Sequence, residues 1–438
     1  MRPSTARRAL LAVPLLVLAT VPLAAACGDG GPSTAGIAEA RSGRPRVTSP
    51  DVAPADLATL VRGNTAFALD LYRQLADTPH ENIVYSPYSI SAALAMTYAG
   101  ARGDTQAEMA AALRFALHQA RLHPAFNALD LALASRSDVR LDPDQEGEPP
   151  RLHIANSVWA EQTKTFLQEY LDVLAEHYGA GIRLVDFMGD PEAAREAINR
   201  WVEEQTEDRI KGLIPPGVID PATRMVLTNA IYFKASWQYP FDEDRTADAA
   251  FTRLDGSRVT VPFMHLTESL RYSRSVGLQA VELPYVGDQL AMTIVVPDEG
   301  AFATVESSLD AAALEAIFGV LSRAQVQLAM PKFEFEAEFS LEDHLRTLGM
   351  DLAFEPGLAD FSGMDGLRDL SISDVLHKAF ISVDEAGTEA AAATAVVIRE
   401  TSAPGDIVDL VIDRPFLFFL RDLETGTILF AGRVVDPS

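Results

Sequence analysis

Eight histidines, at positions 80, 118, 123, 153, 177, 265, 344 and 377, could hold a metal or move a proton. No two stand four apart, the spacing that puts a pair of zinc ligands on one helical face, so no metal site is expected. The chain has no Gly-x-Ser-x-Gly nucleophile elbow and no phosphate-cradling glycine loop before a helix. Its single cysteine, Cys27, follows an apolar N-terminal run too closely to serve as a buried nucleophile. With 62 carboxylates, chance pairs are expected, and spacing nominates no acid and base. Arg102-Gly103-Asp104 could be offered as an adhesion motif, but it fits a polar turn after a helix better. Nothing here points to an enzyme.

The unusual stretch runs from Glu385 to Gly405, with four consecutive alanines, Ala390 to Ala393, followed by Thr394 and then Val396, Val397 and Ile398. Alanines favour helix and the β-branched residues favour strand, so local propensity is divided. Read as a strand, one face carries Thr388, Ala390, Ala392, Thr394, Val396 and Ile398, all small or apolar, while Glu389 and Arg399 fall on the other. Such a strand enters a sheet without burying a charge. The competing reading is an Ala-rich surface helix or loop, which composition alone favours.

Around this segment the pattern sets an order of elements. Leu57, Leu60, Val61, Phe67, Leu71 and Leu75 mark a first amphipathic helix over 56–77. Ile83-Val84-Tyr85 reads as a strand, and Ser86-Pro87 starts an apolar helix continuing to Tyr98. Further helices are expected near 105–115, 120–135, 167–178 and 191–213. Strands are expected near 152–160, 224–234, 258–264, 278–285, 290–297, 325–336, 375–383, 407–412, 415–421 and 427–434. Helices dominate the first half and strands the second, without repeats or regular alternation. The fold class is α+β, with one large domain over 56–438.

Ahead of that domain, Arg2, Arg7 and Arg8 precede the uncharged run Ala9 to Ala26, the layout of an export signal over 1–26. The run contains Pro14 and Pro22 and falls short of a spanning helix, so a removed signal is expected and not an anchor. Small residues directly before Cys27 resemble a bacterial lipoprotein signal, in which Cys27 becomes the lipidated first residue; the usual leucine three before it is Ala24 here. The expected location is extracytoplasmic, on a membrane through a lipid anchor or else secreted. Residues 27–55, rich in Gly, Pro, Ser, Thr and Ala, read as a flexible tether. Removing 1–26 takes away three arginines and no acid, so the net charge of −26 becomes −29. Thirty-six basic against 62 acidic residues argue against nucleic-acid binding, which needs clustered Lys and Arg. One cysteine excludes an intrachain disulfide framework.

Val383 to Thr394 is similar to the reactive-loop hinge of the serpins. In chain order, the blocks Asn82 to Ile90, Ile198 to Val202, Thr228 to Trp237, Val281 to Tyr285, Met330 to Phe333, Asp360 to Met364 and Arg414 to Phe418 also resemble that family, over essentially all of 56–438. The resemblance implies three β-sheets, about eight or nine helices and an exposed reactive-centre loop over about 386–406. It also implies a monomeric suicide-substrate inhibitor of serine proteases, with cysteine proteases as a wider class. In that mechanism the cleaved loop inserts into the large sheet and drags the acyl-enzyme with it.

Residue by residue, the hinge is Gly387, Thr388, Glu389, Ala390, Ala391, Ala392 and Ala393, and family spacing places the scissile bond between Thr401 and Ser402. Thr401 suggests an elastase-like or subtilisin-like target; cleavage after Arg399 instead would make the target trypsin-like. Ser86, Ser89, Asn229 and His377 match the family's polar cluster beneath the opening sheet, and Trp237 its tryptophan near the loop's entry. No cofactor is implied, and the early helix region has no Lys or Arg cluster for a glycosaminoglycan. The alternative is a non-inhibitory serpin acting as a binding or structural protein.

Overall fold

The computed structural model describes residues 37–78, 80–138, 147–389 and 407–438. Ten α-helices lie among the described residues: α1 (Pro54–Leu75), α2 (Pro87–Tyr98), α3 (Gly103–Ala112), α4 (Gln119–Ala134), α5 (Gln168–Tyr178), α6 (Pro191–Gln205), α7 (Phe302–Ser308), α8 (Ala311–Gly319), α9 (Glu342–Thr347) and α10 (Ser362–Asp365). Residues 36–438 form one compact unit.

Seven strands make the first sheet: β1 (Ala38–Ala40), β3 (Arg151–Glu161), β4 (Ile182–Val185), β5 (Met225–Ser236), β11 (Phe333–Ser340), β12 (Asp374–Val383) and β13 (Gly387–Thr388). Their order is β1-β4-β3-β5-β13-β12-β11. The second sheet holds nine: β2 (Ile83–Tyr85), β6 (Ala247–Thr252), β7 (Arg258–Ser275), β8 (Leu278–Pro284), β9 (Leu290–Pro297), β10 (Ser322–Pro331), β14 (Val408–Val411), β15 (Phe416–Asp422) and β16 (Ile428–Val434). Three sheets were expected, and strand pairing joins them into two. The cause is β7, an 18-residue strand that pairs with β6 and β10 and then, at Arg271–Ser275, with β8, so the outer layer is continuous with the inner one.

All twelve residues of α2 are buried, because this helix packs against β3 and β5 of one sheet and β16 of the other. A helix covered on every side must be apolar all round, and α2 carries no charge. Ser86 caps it, accepting a bond from the Ser89 N–H at 3.2 Å, and Pro87 at the first turn gives up no needed donor. The opposite face of the first sheet is covered by α6, where Trp159 meets Trp201 edge to face at 5.5 Å.

The strand expected near 258–264 runs on to Ser275 as β7, and three further boundaries differ from the pattern reading. The helix expected over 191–213 ends at Gln205, because Glu207 and Asp208 take left-handed φ values of 51° and 61° that no α-helix continues. The single run at 325–336 is two strands in different sheets, β10 and β11, separated at Lys332; the alternation of Phe333 and Phe335 carries on across the break and hides it.

The third concerns the tether expected over 27–55. From Ile37 onward the chain is docked, not loose. Ala38–Ala40 pair antiparallel with Ile182–Leu184 at the edge of the first sheet. Arg41 donates to the Gly179 carbonyl at 2.7 Å, Arg44 reaches Asp172 at 2.9 Å and Glu176 at 2.6 Å, and Arg46 reaches Asn127 at 2.9 Å and Asp130 at 2.6 Å. The Val47 N–H bonds to the Glu176 carbonyl, and Asn127 donates to the Val47 carbonyl at 2.7 Å. This strap is held by backbone and charge, so it leaves no apolar periodicity in the sequence.

Candidate functional site

The first sheet is not uniformly paired down its middle. β5 and β12 run parallel and hydrogen-bonded from Val226 with Asp374 to Ile231 with Ala379, and then part. Into the gap comes β13: Gly387 pairs with Ser236, and Thr388 with Ala235 on one side and Val383 on the other. A strand has thus been started between two others, two residues long. The Thr388 side chain is 2% exposed, and its hydroxyl meets the Tyr285 hydroxyl at 2.7 Å. Gly387 and Thr388 are both buried, and small side chains suit a position between two strands.

The turn that leads the chain into the gap is fixed on all sides. Asp384 accepts bonds from the Ala386 and Gly387 N–H groups at 2.9 and 3.1 Å, closing a tight turn. Burial pushes the Asp384 carboxyl above its usual range despite those bonds. Glu385 pairs with Lys332 and accepts from the Thr246 hydroxyl at 2.5 Å, and it is held below the usual carboxylate range by these two partners, although burial opposes them. Trp237 donates its indole N–H to the Asp384 carbonyl at 3.0 Å and its backbone N–H to the Ala386 carbonyl at 2.9 Å. Its ring stacks on Tyr285 at 4.5 Å, so Trp237 and Tyr285 together form the wall against which the hinge lies. Trp237 therefore lies directly against the turn that leads into β13.

Lower in the same seam, the structure brings Ser86, Ser89, Asn229 and His377 together. His377 is fully buried, and its Nε2 accepts from the Ser86 N–H at 3.1 Å. That fixes the ring proton on Nδ1, which donates to Asn229 Oδ1. Asn229 in turn donates to Ser89 Oγ at 2.5 Å and to Asn156 Oδ1. Asn156, on β3, completes the cluster by donating to the Ser89 carbonyl at 3.0 Å and accepting from Ser89 Oγ at 2.9 Å. Sequence reading missed Asn156, yet the signal was present: it is a polar residue in the middle of a strand, directly opposite Asn229. The cluster ties β3, β5 and β12 to α2 at the β5–β12 junction.

Burial lowers the pKa of His377 to about 3, against a single opposing hydrogen bond, and burial together with His177 does the same to His123. Both imidazoles are neutral in the folded protein and titrate normally when unfolded. Their stabilisation is complete above the unfolded value of about 6.5 and falls as the pH drops below it, by about 1.4 kcal/mol per pH unit for each. Urea midpoints measured from pH 7.5 to 5 are expected to show this slope, and His377→Gln to reduce it by one proton.

Among the remaining sequence candidates, Ala390 to Ala393, Arg399, Thr401, Ser402 and Cys27 lie outside the described residues. Glu389, the last described residue before that gap, departs from the expected strand that buries no charge: at φ 49° it leaves extended geometry, and its side chain is buried, 3.5 Å from Arg209. Arg102 is no adhesion finger: its guanidinium donates to the Ala99 and Ala101 carbonyls at 2.9 and 2.7 Å, tying down the turn after α2. Lys332, Thr246 and Tyr285 also hold the hinge without having been assigned that part; Lys332 and Tyr285 fall in two of the family blocks, while the Thr246 contact is visible only in three dimensions.

Comparison with known proteins gives the same architecture. The model of the family described as Serpin (serine protease inhibitor) matches residues 62–437. An uncharacterized serpin-like protein of Thermococcus kodakarensis is 42% identical over 86% of this chain and 86% of its own. A leukocyte elastase inhibitor of Equus caballus is 38% identical, covering 86% of this chain and all but 1% of the relative, whose covered share is 99%. Among solved structures, the thermophilic serpin tengpin in its native state superposes with a TM-score of 0.78 at 28% identity, over 91% of this chain and 99% of the other. Members of that family are generally protease inhibitors and not catalysts. With the started strand, the hinge turn and the seam cluster all in place, the chain belongs to the serpin family.

Proposed function

We propose that this serpin is a suicide-substrate inhibitor of serine proteases. The observation that carries the reading is the strand already begun between β5 and β12 at Gly387–Thr388, continued in sequence by Ala390 to Ala393. Completing that strand adds about a dozen backbone hydrogen bonds at roughly 1 kcal/mol each and buries a small apolar face. A gain on the order of 10 kcal/mol matches the whole stability of a typical domain. The uncleaved form is then kinetically held, and cleavage of the loop releases the gain to displace and distort the acylated protease.

In this reading Thr401–Ser402 is the scissile bond and Thr401 enters the protease's primary pocket, with Arg399 as the other position. A small β-branched residue suits elastase-like or subtilisin-like enzymes, and the name of the horse relative supports the first. Cys27 is the lipid attachment point, which places the domain outside the cytoplasm on a membrane. Incubation with elastase, subtilisin and trypsin tests the inhibition and the scissile bond, and the mass of the exported N-terminus tests the lipid at Cys27. The expected result is a complex stable to boiling detergent with at least one of the three proteases, and a released C-terminal fragment whose mass starts at Ser402. Turnover of the loop with no complex at any ratio removes the inhibitor reading and leaves a binding or structural role.

A further inference from the structure

Glu389 occupies an unusual position at the end of the docked hinge. Its backbone sits at φ 49°, in the left-handed region uncommon for any residue but glycine, while its N–H bonds to the Ser382 carbonyl at 3.1 Å. The side chain is 3% exposed; its partners are Arg209, 3.5 Å from Oε2, and the Tyr232 hydroxyl, and neither carboxylate oxygen has a hydrogen bond of good geometry. Its ion pair with Arg209 is long and that partner is half exposed, so the pair compensates poorly for the water this buried carboxylate has lost.

The groups around it come from four directions. Arg209, in the chain after α6, lies 3.5 Å from Oε2 and is itself half exposed. β5 contributes the Tyr232 hydroxyl and Lys234, and the lysine is engaged by Glu148 at 2.9 Å. β11 contributes Glu334, a repelling charge that accepts from Ser382 Oγ. Glu207 and His153 stand 3.5 Å apart beyond Tyr232. Within the turn itself are Asp384 and the Glu385–Lys332 pair. Burial outweighs the attractive partners and pushes the Glu389 carboxyl above its usual range.

We propose that Glu389 makes docking of the hinge proton-dependent: β13 is seated in the sheet under acid conditions and released as the carboxylate charges towards neutral pH. The inference rests on the loop-insertion reading of the hinge and names its regulation. In the docked state the acid is shielded from water; in a released hinge it is hydrated and ionises normally. A group whose docked-state pKa is raised supports docking fully below its ordinary value, about 4.3, and loses that support as the pH rises through the raised one. One proton limits the effect to about a tenfold change in the docking equilibrium per pH unit. Glu385 has the opposite sign, because its ion pair with Lys332 favours the charged form, but it acts only below the ordinary carboxylate range. Asp384 shares the sign of Glu389; its carboxylate is already bonded inside the turn, which moves with the hinge.

Hydrogen exchange of the peptide spanning 382–389, corrected for the intrinsic pH dependence of exchange, reads docking in the full chain with no protease present. Measured from pH 4 to 8, the wild type is expected to open as the pH rises above the ordinary carboxylate value and to level off once the docked carboxylate is charged. Glu389→Gln should stay docked and flat over that range, and Arg209→Ala should open further than the wild type towards neutral pH, because the charged docked state loses its nearest cation. Asp384→Asn and His153→Gln should keep the wild-type slope. A flat wild-type profile, an unchanged slope in Glu389→Gln, or a slope abolished by Asp384→Asn or His153→Gln overturns the proposal. Should Glu389→Gln fail to fold, the direction of the Arg209→Ala effect decides it. Failure to trap proteases leaves this readout unaffected, so the two hypotheses fail separately.

Discussion

Thr388→Arg is expected to abolish the detergent-stable complex while the loop is still cleaved at the wild-type rate. The Thr388 side chain is 2% exposed, between Ala235 and Val383, with the Tyr285 hydroxyl against its own at 2.7 Å. A guanidinium there has no acidic partner in the slot and must either stay buried unpaired, costing several kcal/mol, or hold the hinge out of the sheet. Insertion then slows relative to deacylation, and the balance between trapping and release shifts by the exponential of that penalty. A few kcal/mol is a hundredfold or more. The measurement is the number of inhibitor molecules consumed per protease trapped, beside the rate of appearance of the C-terminal fragment. Thr388→Ser serves as the control that keeps the slot filled and the complex intact. Complex formation by the arginine variant at the wild-type ratio would separate the hinge from trapping altogether.

Cleavage of the loop alone should make the protein more stable, which reverses the usual effect of nicking a chain. Adding a full strand between β5 and β12 contributes on the order of 10 kcal/mol, as derived above from hydrogen bonds and burial. For a domain of about 380 residues the unfolding entropy near the midpoint is roughly 0.8 kcal/mol/K, so the melting temperature is expected to rise by roughly 10–15 °C. Calorimetry before and after nicking by a protease that does not become trapped provides the comparison. The Thr388→Arg variant should show a much smaller rise, because its strand cannot start. An unchanged or lowered melting temperature in the cleaved wild type would mean that the strand is not completed and that the uncleaved form stores nothing.

At Gly387 and Thr388 the hinge was legible in the sequence because its constraint is local. Small residues at alternate positions after Gly387 are what a slot between strands demands, and the demand is written in consecutive letters. The seam cluster was legible only through motifs: Ser86, Ser89, Asn229 and His377 are distant in sequence, and Asn156, bonded to two of them, was overlooked because a lone polar residue in a strand has no pattern of its own. The clamp on Glu385 was hidden for a similar reason, since Lys332 and Thr246 approach it from different strands and loops. The junction at Lys332 was misread because the side-chain period continues from β10 into β11 while the chain changes sheets. Where energy comes from apolar periodicity, the letters predict the structure; where it comes from single long-range charges, they do not.

The docking of Ala38–Ala40 at the sheet edge has a consequence for the distance at which this protein can act. With the chain fixed from Ile37, only nine residues, Gly28 to Gly36, separate the domain from Cys27, ten steps of backbone in all. At about 3.5 Å per residue they span at most about 35 Å, against about 100 Å for a leash running free to residue 55. Where Cys27 carries acyl chains, the inhibition proposed above would act at short range, on proteases working near the bilayer, and would leave those further out untouched.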